Sequence, residues 1–328
     1  MNRPLVSVVI PNWNGVAHLP TCLDALRAQT YPRVEIIVVD NASADGSREL
    51  LMERYPDVRV IALPRNRGFT GACNAGIEAT QGEIVTLLNN DTQAAPTWIE
   101  EVVAVFDRHP EAGSVASKML LFDRRDRLHT AGDFYRIDGL PGNRGVWQPD
   151  GPEYNREEPV FSACGGSAAY RRAMLDQVGV LDDDFFFSCE DVDLGWRAQL
   201  AGWTCIYAPQ AVVYHHLAAT GGGPTASFYD GRNTIWVIAK NYPGPLLRQH
   251  WPEIVQAQGR RAWAAIRAWR GAAARATLRG MIAGLLGLPR MLRKRRAIQA
   301  GRAVSIGYLE SILTPPPVRP RSDTGKQT

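Results

Sequence analysis

Three short clusters rich in Asn and Asp have the side chains to bind a ligand. They are Pro11-Asn12-Trp13-Asn14, Asp40-Asn41 and Asn89-Asn90-Asp91. A carboxylate holds a divalent cation or accepts hydrogen bonds, and an Asn amide both donates and accepts them. Turns and helix caps use the same residue types, so any one cluster alone could be structural. The presence of three favours a binding site.

Each cluster directly follows a predicted strand. The apolar runs Leu5–Ile10, Val34–Val39 and Ile84–Leu88 precede the three clusters, Val58–Leu63 is a fourth such run, and helical patterns separate them. This alternation is typical of a parallel sheet that helices cover on both faces. In an open α/β sheet the ligand crevice lies beyond the carboxyl ends of the strands. We therefore expect the three clusters to converge on one site.

The residues after the first strand exclude two common nucleotide-binding motifs. A dinucleotide fold requires G-x-G-x-x-G at the position that Pro11–Gly15 occupies, and the nearest glycine cluster, Gly68, Gly71 and Gly76, has a different spacing. The P-loop pattern is absent as well. If the ligand carries a diphosphate, a divalent cation on hard oxygen ligands is the usual substitute for such a loop.

Five segments, taken in order, resemble the signatures of family-2 glycosyltransferases. They are VSVVIPNWNG (6–15), IIVVDNASADGS (36–47), RNRGFTGACNAGI (65–77), LLNNDT (87–92) and FFFSCEDVDLGWRAQLAGW (185–203). The resemblance spans roughly residues 5–242 and is greatest to the bacterial rhamnosyltransferase-type subgroup, with which the chain shares Tyr229–Asn233 and a basic C-terminal region. It implies an α/β GT-A fold, an open and mostly parallel sheet flanked by helices, and inversion at the anomeric carbon.

The resemblance implies a nucleotide-sugar site along the strand ends. It places Asp40 on the base or ribose of the nucleotide, where a carboxylate accepts hydrogen bonds from N–H or hydroxyl groups. The other residues that it assigns to the donor are Pro11, Asn12, Asn14, Asn66, Gly68, Asn74, Asn89, Asn90 and Asp91. Asn66 and Asn74 could instead be turn and cap residues.

The resemblance also implies a divalent cation, Mg2+ or Mn2+. Asn89-Asn90-Asp91 occupies the position of an acidic D-x-D pair, so only Asp91 brings a full negative charge, and Asn89 departs from the pattern. Relatives supply a further ligand at the position of His215. A histidine after an apolar strand is often structural, and His216 is an adjacent alternative.

Glu190 and Asp191 are the candidate catalytic residues. A hydroxyl is a poor nucleophile, so an inverting transferase positions a carboxylate to take its proton. The resemblance gives that role to Asp191, with Glu190 steering the acceptor or tuning its neighbour. Alternatively, acidic residues at a helix start simply complement the helix dipole. Gly165 and Gly166 are expected to let the backbone approach the acceptor or the donor sugar, and Trp196 and Arg197 are further candidate acceptor contacts.

The C-terminal segment is strongly basic. The net charge of +4 includes twelve Lys/Arg and no Asp/Glu between Arg260 and Arg302, whereas the remainder has 25 basic and 33 acidic residues. Apolar residues at helical spacing lie among the arginines, which favours a helix on an anionic membrane surface. A helical bundle packed on the body is the alternative. Nucleic-acid binding is disfavoured because no recognised nucleic-acid-binding module accompanies the charge.

These observations divide the chain into three parts. Residues 1–245 form the predicted GT-A domain, 246–314 a basic helical extension that associates with the membrane, and 315–328 a disordered tail. Residues 120–161 are expected to be an irregular excursion of unassigned role. Further helices are predicted at 171–178, 191–201 and 226–242, and strands at 204–208 and 211–214. The five dispersed cysteines, the short N-terminal apolar run and the lack of an 18-residue apolar stretch predict a cytoplasmic, peripheral membrane protein.

The leading interpretation is an inverting transferase acting in cell-envelope glycan synthesis. It would move a sugar, with rhamnose as the candidate, from a dTDP- or UDP-linked donor to a hydroxyl of a lipid-linked or polysaccharide acceptor. A nucleotide-sugar-binding protein without turnover is a second hypothesis, which the joint presence of Asp91, Glu190, Asp191 and His215 disfavours. A nucleotidyltransferase is a third, but 15–20 lacks the Gly-rich, basic loop of such enzymes.

Overall fold

The alternating strands and helices of the first ninety residues build one half of a ten-stranded sheet. The computed structural model describes residues 3–216 and 223–316. The strands are β1 Val6–Asn12, β2 Val34–Asp40, β3 Arg59–Ala62, β4 Ile84–Leu88, β5 Thr92–Ala94, β6 Ala112–Leu121, β7 Leu128–Thr130, β8 Asp133–Tyr135, β9 Pro141–Asn143, β10 Glu158–Val160, β11 Ser167–Arg171 and β12 Thr204–His215. The helices are α1 Leu19–Arg27, α2 Ser47–Arg54, α3 Gly68–Ala79, α4 Trp98–Arg108, α5 Arg172–Val178, α6 Glu190–Leu200, α7 Gly223–Asn241, α8 Gly244–Arg267, α9 Ala272–Leu286, α10 Leu288–Ala300 and α11 Ile306–Ser311, with a 3-10 turn at Pro152–Tyr154.

The four strands predicted in the first half are confirmed, with ends shifted by one or two residues. The main sheet has the order β10-β12-β6-β11-β4-β1-β2-β3, and β1, β2, β3 and β4 are mutually parallel. In register, Asn12 pairs with Asp40, so β1 and β2 end side by side. Apolar side chains on both faces of these strands form two hydrophobic clusters, one beneath the helices of each face.

Residues 120–161 are more regular than the sequence predicts. They contain β7, which pairs with the end of β6, the hairpin β8–β9, and β10, which pairs with β12. The Lys118 ammonium of β6 is buried and donates to Asp150 at 2.8 Å and to Asn155 at 2.6 Å. The two strands predicted at 204–208 and 211–214 are one strand, β12, with an irregularity between Ala208 and Val212.

The C-terminal helices pack on the sheet domain through a third hydrophobic cluster. Tyr135 of β8, Trp196 of α6, Leu246 of α8 and Met291 of α10 all belong to it. Helices α7 and α9 approach closely, because a Cβ atom on Gly280 would lie 2.0 Å from the Phe228 carbonyl oxygen. No helix within the described ranges is long and apolar enough to span a bilayer. Most of the predicted disordered tail, 317–328, lies outside the described residues.

Candidate active site

A cleft of about 800 Å³ lies at the carboxyl ends of the central strands. Its lining includes Asn12, Asn89 and Asn90 from the strand ends and Glu190 and Asp191 from the start of α6. The β8–β9 hairpin, the loop before α6 and the first turns of α7 contribute further lining residues. The parallel sheet thus brings the strand-end residues to one cleft, as predicted.

Hydrogen bonds join the three Asn/Asp clusters into one unit. The Asn90 amide donates to the Asn12 Oδ1 at 2.7 Å, and the Asn12 amide donates to the Asp40 Oδ1 at 3.3 Å. Gly15 makes this contact possible, because a Cβ atom there would lie 2.0 Å from Asn90 Nδ2. The PNWNG segment is therefore a turn in which Gly15, having no Cβ atom, leaves room for the side-chain amide of Asn90.

Three residues predicted to touch the nucleotide point elsewhere. Asp40 is fully buried, and its Oδ2 accepts from Arg48 Nε at 2.6 Å. The Asn14 Oδ1 accepts from the Ala44 amide at 2.8 Å on the surface. Asn74 donates to the Leu181 carbonyl oxygen at 2.8 Å, so it holds the loop after α5. None of the three side chains is part of the cleft lining in this structure, so their contact with the nucleotide stays a prediction.

A loop between β3 and α3 completes the wall beside the strand ends. The Asn41 amide donates to Asn66 Oδ1 and to the Gly68 carbonyl oxygen, both at 3.0 Å. Gly68 has a φ of +74°, and a Cβ atom on it would lie 2.4 Å from the Phe186 carbonyl oxygen. Asn66 and Gly68 therefore line the cleft as predicted, together with Asn41, which the sequence identified only as part of a cluster.

Asp91 and His215 form a buried carboxylate–imidazole pair. His215 Nε2 lies 3.1 Å from Asp91 Oδ1, and His215 Nδ1 lies 3.0 Å from Nδ1 of His129. Burial and the neighbouring His215 lower the pKa of His129 to about 3, so this ring is neutral. His216 faces away and stacks on Phe122 with ring centroids 3.6 Å apart. The geometry thus distinguishes the two adjacent histidines in favour of His215.

The Asp91–His215 pair has the right chemistry for a divalent cation but is incomplete as a cage. Carboxylate oxygen and imidazole nitrogen are both common ligands of such ions. Among residues 3–216 and 223–316, no three His, Cys, Asp or Glu side chains are arranged to surround a metal. A cation held by this pair would therefore take its remaining ligands from water and from a bound diphosphate.

The two candidate catalytic carboxyl groups have different environments. Asp191 accepts from the Gly165 amide and from its neighbour Val192, both at 2.8 Å. Glu190 is buried, and its Oε2 has no hydrogen-bond partner among the described residues. Burial and then the charge of Asp191 raise the pKa of Glu190 well above its usual range. Burial raises the pKa of Asp191 too, but the two amides oppose it. Hence Asp191 is the better site for the negative charge and Glu190 for a proton.

The loop that presents this pair adopts a conformation that L residues disfavour. Phe186, Ser188 and Cys189 have φ angles of +63°, +69° and +64°. From α7, Asn233 donates to the carbonyl oxygens of Phe185, Phe187 and Ser188 at 2.6–3.0 Å. Backbone in this region is stable only when its surroundings hold it. The Tyr229–Asn233 segment thus supports the catalytic loop.

Two residues predicted to contact the acceptor, Trp196 and Arg197, lie outside the cleft lining. Trp196 is fully buried and packs edge-on against Tyr135 and Phe161. The Arg197 guanidinium donates to the carbonyl oxygens of residues 178–180 and to Asp193. Both side chains stabilise α6 and lie outside the cleft. Gly165 and Gly166, by contrast, do line it.

Sequence reasoning missed the residues that the 120–161 region contributes. His129 of β7 and Asp133 and Asn143 of the β8–β9 hairpin line the cleft. They are scattered, lie in no recognised motif and are brought together only by strand pairing. Gly132, directly before Asp133, indicates a turn in the sequence, but a glycine alone does not predict a site.

The fold is of the GT-A type. Solved structures with the same fold include GalNAc-T7 with UDP, GalNAc and Mn2+, at a TM-score of 0.59 and 18% identity over 73% of this chain and 48% of that one. The mannosyltransferase PcManGT from Pyrobaculum calidifontis, in complex with GDP-Man and Mn2+, has a TM-score of 0.54 and 19% identity over 95% and 79% of the two chains.

The family follows from the sequence. The family model described as Glycosyl transferase family 2 matches residues 7–188, so the chain belongs to that family and is a glycosyltransferase. It is similar to the N-acetylglucosaminyl-diphospho-decaprenol L-rhamnosyltransferase of Mycobacterium tuberculosis, with 30% identity over 247 residues, which cover 68% of this chain and 80% of that protein. The resemblance to rhamnosyltransferase-type members is thereby confirmed.

Proposed function

We propose that the protein is an inverting, metal-dependent transferase that moves a deoxysugar from a dTDP- or UDP-linked donor to a sugar hydroxyl of a lipid-linked diphosphate. Rhamnose is the donor sugar we favour, and the synthesis of a cell-envelope glycan is its setting. The observation that carries the proposal is the one cleft that Asp191 lines together with the strand-end residues Asn12 and Asn90. The similarity to the mycobacterial rhamnosyltransferase supports the choice of donor and acceptor.

In the proposed reaction Asp191 is the general base. It takes the proton of the acceptor hydroxyl as that oxygen attacks the anomeric carbon, opposite the departing nucleotide diphosphate. One C–O bond forms, the bond from the anomeric carbon to the diphosphate oxygen breaks, and the proton remains on Asp191. Gly165 and Val192 stabilise the ionised carboxylate beforehand through their amides. Glu190 stays neutral, so it donates a hydrogen bond to the acceptor and adds no second negative charge beside Asp191.

Asp91 and His215 would hold the cation, which neutralises the diphosphate when bound. A carboxylate–imidazole pair favours Mn2+ over Mg2+, because Mg2+ prefers oxygen ligands throughout. Asn89 and Asn90 line the cleft next to this pair and supply amide donors for the phosphate oxygens or the donor sugar.

Incubation of the purified chain with Mn2+ and a panel of nucleotide sugars tests this function. The acceptor is N-acetylglucosamine linked through a diphosphate to a short isoprenyl chain. We expect release of dTDP or UDP with formation of a product whose new linkage has the inverted configuration, measured by NMR. Tight donor binding without release of nucleotide diphosphate in any reaction would favour the non-catalytic binding protein. A retained configuration would contradict the role of Asp191.

We further propose that the C-terminal helices dock on an anionic bilayer at the cytoplasmic face. At about 100° per residue, the exposed Trp251, Val255, Trp263 and Ile266 lie within about 120° of the α8 circumference. Exposed Ile282, Leu285 and Leu286 form a similar stripe on α9. The exposed basic residues of the segment include Arg260, Arg267, Arg270, Arg279, Arg293 and Arg296. Apolar stripes flanked by arginine suit an interface with anionic lipid.

Part of the basic charge serves the fold instead. Arg261 pairs with Asp230 at 2.5 Å, and Lys294 donates to Asp182 at 2.6 Å, so these cations attach α8 and α10 to the sheet domain. The packed-bundle alternative is therefore compatible with membrane docking. The same helices present one face to the protein and the other to solvent.

A further inference from the structure

Asp133 and Asn143 form a polar pair at the end of the cleft. They are directly opposite each other across the β8–β9 hairpin, and both line the cleft. Asp133 is only 5% exposed, and Asn143 Nδ2 donates to the Asp133 Oδ1 at 3.0 Å. No motif and no part of the reaction described above uses either residue.

The Asp133 carboxylate keeps unused hydrogen-bonding capacity. Its Oδ1 also accepts from Thr130 at 3.4 Å, whereas its Oδ2 accepts only from Ser162 at 3.5 Å among the described residues. A carboxyl group has about four hydrogen-bonding positions, counting its proton as a donor when it is neutral. No ion pair within residues 3–216 and 223–316 includes Asp133. A buried carboxyl group with no cation and a weakly bonded oxygen is costly for the fold unless a ligand uses it.

Asp133 lies close to the proposed base. The Asp133 amide donates to the Ser162 carbonyl oxygen at 3.0 Å, and the Gly165 amide donates to Asp191 at 2.8 Å. The chain from residue 162 to 165 spans at most about 10 Å. The charge of Asp191 adds to burial in raising the pKa of Asp133, which is consistent with this proximity. Both residues also line the same cleft, where one bound sugar can contact them together.

We propose that Asp133 and Asn143 bind the acceptor sugar, so that its nucleophilic hydroxyl lies at Asp191. This inference rests on the proposed function. Asp133 Oδ2 accepts a hydrogen bond from one ring hydroxyl, and the Asn143 amide, which both donates and accepts, binds the neighbouring substituent. The fitting acceptor is a pyranose with at least one free hydroxyl besides the nucleophile. The hairpin is then the element that selects the acceptor.

Asp133→Asn and Asn143→Ala test the role with the full chain. The probe is the isoprenyl-diphosphate N-acetylglucosamine used above, together with analogues that lack one ring hydroxyl each. We expect the acceptor KM to rise roughly 3- to 10-fold in both variants, as for the loss of one hydrogen bond between uncharged groups. The donor KM and the slow release of nucleotide diphosphate to water should stay at wild-type values. Asp126→Asn, an exposed carboxylate before β7, is the matched control.

The deoxy analogues distinguish recognition from a structural role. One analogue should lose affinity with the wild type but show no further loss with Asp133→Asn, because the same contact is already missing. Unchanged acceptor KM in both variants would overturn the inference, as would equal additive losses for every analogue.

Acceptor binding to the protein loaded with nucleotide diphosphate, measured by calorimetry, separates this inference from the proposed function. Weaker acceptor binding by Asp133→Asn than by the wild type supports acceptor recognition by Asp133 and Asn143. If the wild type binds the acceptor in this way but shows no turnover, only the proposed activity fails. Equal binding by wild type and Asp133→Asn refutes the pair even in an active enzyme.

Discussion

The side-chain amide of Asn233 donates a hydrogen bond to the Ser188 carbonyl oxygen at 2.6 Å. Ser188 and Cys189 hold positive φ angles directly before Glu190. One buried amide on α7 thus fixes the backbone from which both catalytic candidates project. Asn233, the last residue of the Tyr229–Asn233 segment shared with the rhamnosyltransferase-type subgroup, is thus a positioning residue for the proposed base.

Asn233→Ala should lower kcat more than it weakens donor binding. Loss of the amide leaves the three carbonyl oxygens without this donor, so the loop relaxes towards ordinary backbone angles and Asp191 moves from the acceptor. We expect a fall in kcat of roughly 10-fold or more, since small misplacements are costly in catalysis. Thr234→Val is the control, because the buried Thr234 hydroxyl bonds only within α7, to the Asp230 carbonyl oxygen. Equal kinetic losses in both variants would indicate a general effect on α7.

Asp191→Asn should abolish most turnover and spare the donor site. The variant keeps the shape of the side chain but cannot take a proton, so kcat should fall by about 10²- to 10⁴-fold. Single-turnover rates and donor affinity measure the two effects. In the wild type, kcat/KM should decrease as the pH falls through the Asp191 pKa, which burial raises above its ordinary value. A larger loss in Glu190→Gln than in Asp191→Asn would move the base one residue upstream.

Glu190→Gln should stabilise the fold at high pH. A carboxyl group whose pKa is raised in the folded state keeps a proton that the unfolded chain has lost, so stability declines as pH rises from the ordinary value of 4.5 towards the raised pKa. The glutamine variant avoids this penalty. Its Tm should exceed that of the wild type at pH 8 by a few degrees and converge with it near pH 4. Glu111→Gln, at an exposed carboxylate of lowered pKa, should show no gain at pH 8.

The strands that form the site could be predicted because local signals agreed. Apolar runs with polar ends mark β1, β2 and β4, and parallel pairing brings those ends to one edge. Strand β6 was not predicted, although every one of its residues is buried. Gly113, Ser114, Ser117 and Lys118 make it resemble a loop, and its lysine is buried only because Asp150 pairs with it. That partner is distant in sequence.

The position of Trp196 outside the cleft and the failure to predict Asp133 and Asn143 also have physical causes. Trp196 lies five residues after Asp191, about 140° around α6, so it points away from the cleft and into the core. Helical spacing alone excludes it. Asp133 and Asn143 could not be found this way, because a hairpin brings them together and no local pattern marks a hairpin that lines a site.

Metal dependence should follow Asp91 and His215. Asp91→Ala or excess EDTA should abolish turnover, and Mn2+ should restore the chelated wild type. His215→Ala should weaken Mn2+ binding measured in the presence of dTDP or UDP, whereas His216→Ala should not, because its ring stacks on Phe122 instead. Asn89→Asp should tighten Mn2+ binding if its side chain faces the cation. Full activity in EDTA would exclude the metal role of this pair.

Membrane docking should depend on the exposed tryptophans of α8 and the turn that follows it. Truncation before Arg260 is unsuitable as a test, because it removes Ala276 and Met291, which are buried against the rest of the protein. The double variant Trp263→Glu/Trp269→Glu leaves the core intact and places charge on residues that are 60% and 59% exposed.

The partition coefficient of this variant for vesicles that contain phosphatidylglycerol should fall by about 10-fold or more. The reason is that two aromatic anchors are replaced by negative charges, which anionic lipid repels. Trp147→Glu is the matched control, because Trp147 is also 59% exposed but lies in the loop after β9. Flotation at low and high salt measures the partitioning, and high salt should weaken wild-type binding as the arginine contribution is screened. Binding of the double variant that equals that of the wild type would place the membrane contact on another surface.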